Sequence, residues 1–149
     1  MWHTVLIAAH TAAGLAAFTA GCLALTRRSY FTVYLWSLIF LVAFLAAAVA
    51  VDWTRLDTAS RAVFAAFTAL GGYMIWRAVQ ARRLQQATSL QQRGRRIDHI
   101  GFSLVALFDG FVIILALDLG APSWLAIVVA AAGIAAGHTT LRRLKRQLA

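Results

Sequence analysis

The chain is built from five long apolar runs separated by short polar stretches, at about 3–25, 31–51, 62–79, 99–117 and 124–139. Within each run the apolar residues are continuous. They do not alternate one by one, so the pattern predicts helices and not the strands of a barrel. Most runs approach the ~20 residues a helix needs to cross a bilayer. The longest polar stretch, QARRLQQATSLQQRGRR, lies between the third and fourth runs. The third helix is expected to continue some way past its apolar run, with Gly94 breaking it before the fourth begins. That leaves 80–97 as a basic loop. DLGAP predicts a tight connection between the fourth and fifth helices.

Composition narrows the solvent to lipid. Of 149 residues, 62% are hydrophobic and 13% charged, against about half and a quarter in soluble domains. A soluble fold of this size has too little interior for that much apolar surface. Lipid admits only helices and closed barrels, so the fold class is an all-α integral membrane protein. The expected domain organisation is one five-helix transmembrane bundle over 1–149, with soluble parts too small to fold alone.

The charge is +9 and the pI near 11.5, which would suit nucleic acid if the basic residues were spread over one face. Instead, twelve of the fourteen Arg and Lys residues fall in the segments 27–28, 77–96 and 142–146, and only Arg55 and Arg61 fall elsewhere. Cytoplasmic loops carry such an excess. The expected topology is N-terminus outside and C-terminus cytoplasmic, in the inner membrane of a bacterial-type cell. The expected partners are lipids with anionic headgroups, and not nucleic acid. The first run has no basic segment ahead of it and is long for a signal peptide, so it is expected to be retained. Tyr34, Trp36, Trp53 and Trp76 lie near run ends, where aromatics anchor to the interface. Cys22 is the single cysteine, which rules out an intrachain disulfide.

Asp109 stands out. It lies near the middle of the fourth run, about 15 Å from either end at 1.5 Å per residue. Placing Asp at the centre of a spanning helix costs about 2.5–3.5 kcal/mol on the insertion scale, and intramembrane acids commonly mark proton or ion pathways. The bland alternative is a carboxyl that hydrogen-bonds to a neighbouring helix. His10 is the natural partner, within about one helical turn of Asp109 in depth. His3, His10 and Ala17 share a seven-residue spacing and so one face. Gly14 and Gly21, and the Gly133/Gly137 pair, are small-residue spacings that let helices approach closely, within a subunit or between subunits.

His99 and His138 flank the outer connection at similar distances, and an antiparallel hairpin is expected to bring them to nearly the same depth. Asp98, Arg95, Arg96 and Arg142 surround them. That set suits an anionic headgroup, a phosphate-bearing substrate, or a metal held with Asp98. The alternative is an ordinary solvated inner interface. Haem b needs a nitrogen from each of two facing helices at one depth. His99 with His138 meets the depth condition but lies close to water, and His10 lacks a second deep His. No cofactor is expected, with haem b kept as the minor alternative. The sequence carries no HExxH, GxSxG, P-loop or CxxCH motif, and neither Ser37 nor Ser103 sits in a nucleophile motif. It gives no ground for assigning catalysis.

The segments HTAAGLAAFTAGCLALTRR, GGYMIWRAVQARR and RRIDHIGFSLVALFDG together resemble a loosely defined set of small multi-pass bacterial predicted membrane proteins of unknown function. The resemblance covers most of the chain. It implies His10 and Asp98 as shared features, and implies no activity. The leading expectation is a bundle that moves a proton, ion or small molecule, with Asp109 as the titratable centre, His10 as its partner, and a homo-oligomer enclosing the path. The alternatives are a non-catalytic accessory subunit of a larger membrane complex and a His-ligated haem protein.

Overall fold

A computed structural model describes residues 2–86, 89–120 and 122–148. Among them the chain is all-helical, with no strand. The order is α1 (Trp2–Thr26), a single 3-10 turn (Arg28–Tyr30), α2 (Phe31–Asp52), α3 (Thr58–Arg83), α4 (Leu90–Asp118) and α5 (Ser123–Leu148). Helices α1 to α4 contain stretches long and apolar enough to cross a membrane, at Thr4–Thr26, Arg28–Asp52, Ser60–Arg83 and Leu90–Ala116. Helix α5 carries a stretch free of Asp, Glu, Lys and Arg over 123–141, followed by Arg142, Arg143, Lys145 and Arg146.

The contacts gather the chain into two compact units, 1–79 and 80–149. In the first, α1 and α2 form an antiparallel pair around the turn at Arg28–Tyr30. A methyl added at Gly14 would meet Leu41 Cδ1 at 3.0 Å, which fixes the register. Stepping along both helices brings Ala17 level with Leu38, Gly21 with Tyr34 and Ala24 with Phe31, all six buried. Small residues on α1 thus meet large ones on α2, so the backbones approach closely and the bulk is supplied from one side. The small face read from the sequence has its partner within the chain. Gly71 of α3 lies against Val42 of α2, whose Cγ2 stands 2.5 Å from where a Cβ would be.

The corner between α2 and α3 is tied by polar groups. Arg61 Nε donates to the Trp53 carbonyl at 3.0 Å and its guanidinium lies 5.4 Å from the Trp53 ring centroid. The Ser60 N–H donates to Asp57 Oδ1 at 2.7 Å, the side-chain cap that an orphan N–H at a helix start requires. Hydrogen bonds from Ser60, from its side chain first and its backbone N–H second, hold the Asp57 carboxyl below its ordinary value of 3.8. The cap is therefore intact at neutral pH and is lost only as the pH falls through the lowered value.

In the second unit, α4 and α5 form an antiparallel hairpin. Helix α4 ends at Asp118, and Gly120, whose φ of +78° suits glycine, turns the chain away from it. The expected break at Gly94 is not found: α4 starts at Leu90, four residues earlier. The Gln92 N–H donates to Ser89 Oγ at 3.3 Å, and Ser-Leu-Gln-Gln has the capping-box spacing of a helix start. Helix α3 in turn runs on to Arg83. Much of the expected loop 80–97 is thus helix. Glycine in a helix interior costs only about 1 kcal/mol relative to Ala, less than its helix-forming neighbours and the cap contribute together. No atom lies within 4 Å of a Cβ added at Gly94. Replacing Gly94 by Ala is therefore expected to stabilise the protein by about 0.5–1 kcal/mol, read as a higher denaturation midpoint in SDS titration.

Candidate functional site

Three contacts define the α4–α5 interface, each four residues further along both helices. Gly101 lies against Leu141, Val105 against Gly137, and Asp109 against Gly133. The GxxxG pair of α5 is thus a seat for two side chains of α4, within one subunit. A Cβ at Gly133 would run into Asp109 Oδ1. The glycine is what allows a carboxyl to lie flat on the neighbouring helix. Asp109 is 8% exposed, and the buried polar and charged side chains among the described residues are Asp109 and Ser103. Ser103, on the same helix, is fully buried, and no hydrogen-bond partner for its Oγ is present among the described residues.

His10 lies in the first unit, half-buried on α1. Its Nδ1–H donates to the Leu41 carbonyl of α2 at 2.9 Å. With the proton on Nδ1, a neutral ring presents Nε2 as an acceptor. The contact shown for His10 is therefore to the backbone of α2, and the contact shown for Asp109 is to Gly133. His3 has its side chain outside the described residues.

The same α4–α5 register bears on the second expected site. It brings His99 level with Arg143 and His138 level with Leu104. The two histidines are thus offset by five residues, about 7.5 Å, and not at one depth as the sequence suggests. The register is centred on the turn, but the two histidines are not equally far from it: His99 lies 19 residues before the end of α4 at Asp118, and His138 lies 15 residues after the start of α5 at Ser123. His99 is half-buried and His138 exposed. Asp98 forms an ion pair with Lys145, a residue that sequence reasoning counted only as a topology charge. Arg95 and Arg142 are exposed and Arg96 is half-buried. Among the described residues no group of three or more His, Cys, Asp or Glu is placed to hold a metal ion.

Two partners were beyond sequence reasoning. The Leu41 carbonyl carries no side-chain signal. Gly133 was visible as half of a GxxxG pair, but its opposite residue depends on register. Among the described residues the protein is all-helical, with four helices of membrane-crossing length and one buried carboxylic acid, seated on a glycine. The chain matches no protein-family model, no curated protein and no solved structure.

Proposed function

We propose that this protein is a small multi-pass membrane protein that moves protons, or another small cation, with Asp109 as the group that loads and unloads. The observation that carries the proposal is the seating of Asp109: a buried carboxyl in the apolar part of a helix, held over a glycine of the neighbouring helix. Intramembrane acids of this kind typically belong to ion or proton pathways. The α4–α5 hairpin supports a fifth crossing, because its register returns 141–148 to the level of 94–101 on α4. The basic tail then lies on the same side as Arg93, Arg95 and Arg96, where long Arg and Lys stems reach the interface. With 27–28, 77–96 and 142–146 inside, the N-terminus is outside and the C-terminus in the cytoplasm of a bacterial-type inner membrane. His10, its Nδ1 committed to Leu41, offers Nε2 as a second proton-handling atom. A homo-oligomer completes the path, since five helices enclose little volume.

The test is reconstitution. Vesicles containing the purified protein are expected to lose an imposed pH gradient faster than protein-free vesicles, with Na⁺ and K⁺ gradients run alongside to identify the ion. Equal decay with and without protein for all three ions would sink the proposal and leave the accessory-subunit reading.

A further inference from the structure

The ion pair Asp98–Lys145 shows which edges of the hairpin lie on one side. On α4, Arg95, Asp98 and Phe102 follow the i, i+3, i+7 spacing of a single helix face. On α5, His138, Arg142 and Lys145 follow i, i+4, i+7. Since Asp98 and Lys145 touch, these two edges flank the same groove, alongside the central seam of Gly101, Val105, Gly133 and Gly137. Levels along the groove follow from the register. Arg95 lies nearest the open end, the Asp98–Lys145 pair comes next, Arg142 is level with Ile100, and His138 is level with Leu104. Arg95 and Arg142 are thus about 7.5 Å apart along the axis, one from each helix, with the ion pair between them. Both are exposed. Lys145 neutralises the one carboxylate on this edge, so the two guanidinium groups set its charge. Two planar, always-charged donors across a pinned groove are suited to phosphate oxygens.

We propose that this edge of the α4–α5 hairpin is a phosphate-binding site. Arg95 and Arg142 are the direct donors, and the Asp98–Lys145 pair is the pin that sets their spacing. The ligand is a phosphate group, supplied either by an anionic phospholipid headgroup or by a free phosphate. The site is independent of any role for Asp109.

The test uses a control built into the same hairpin. Arg93 and Arg143 lie on the opposite edges of α4 and α5, and both are exposed. R93Q/R143Q therefore removes the same charge as R95Q/R142Q from the other side. Full-length protein in detergent is mixed with equal amounts of dioleoylphosphatidylglycerol and dioleoylphosphatidylcholine, and retained lipid is read by native mass spectrometry. In parallel, thermal unfolding is followed with inorganic phosphate added. A headgroup site gives preferential retention of the anionic lipid, falling about fivefold for each groove arginine removed. A free-phosphate site gives stabilisation by inorganic phosphate that R95Q/R142Q abolishes. In either case R93Q/R143Q keeps the wild-type response. The proposal is overturned if neither arm responds, or if both double variants lose the response equally, since that is diffuse positive charge and not a site. If R95Q/R142Q fails to fold, R95K/R142K retains the charge without the planar forks and is expected to bind more weakly than R93K/R143K. Equal binding by these two overturns the proposal.

Discussion

Gly137→Ala is expected to destabilise the protein substantially, although Ala is the better helix former. A Cβ at position 137 meets Val105 Cγ2, with Cγ1 at 3.1 Å and Cβ at 3.3 Å. Valine in a helix holds essentially one χ1 rotamer, so its methyls cannot swing away. Relief has to come from moving one helix off the other, which would also loosen Gly101 from Leu141 and Asp109 from Gly133. Overpacking of this kind typically costs about 1–3 kcal/mol, larger than the roughly 1 kcal/mol that Ala contributes over Gly in a helix. SDS-titration unfolding followed by circular dichroism is expected to show a lower midpoint. An unchanged or higher midpoint would mean that α4 and α5 are not packed in this register.

Gly133→Ala, four residues away, is expected to behave differently. The atoms its methyl meets are Asp109 Oδ1 and Cγ, the end of a side chain that can rotate. The unfolding midpoint should change far less than in Gly137→Ala. What changes is where the carboxyl sits. If Asp109 must be held at that point to exchange its proton or ion, flux in reconstituted vesicles falls while the fold survives. The pair of variants thus separates packing from function on one helix face. A Gly133→Ala protein that is as destabilised as Gly137→Ala, yet carries full flux per folded molecule, would reverse the assignment.

How far the sequence alone reaches depends on whether a feature is local. The helices follow from run lengths and the turn at Gly120 from DLGAP, and both were legible. Gly94 misled because a lone glycine is a weak breaker, outweighed by a Ser89 cap whose spacing was present but unread. The offset between His99 and His138 was countable in the sequence, since His99 lies farther from the DLGAP turn than His138 does; the contacts of Val105 and Asp109 with Gly137 and Gly133 fix the register that shows it. Once that register is known, the pairing of Asp98 with Lys145 is reasonable, but neither residue announces it. The partner of His10 is a main-chain carbonyl, which no pattern of side chains encodes.

The most direct measurement is the decay of a pH gradient in vesicles carrying wild-type protein or Asp109→Asn at equal density. Asn is nearly the shape of Asp and should still lie over Gly133, so circular dichroism and the unfolding midpoint should stay close to wild type. The proposal predicts that Asp109→Asn vesicles lose the gradient no faster than vesicles without protein. Wild-type decay in that variant would contradict it, and would make Asp109 a packing residue of the α4–α5 hairpin.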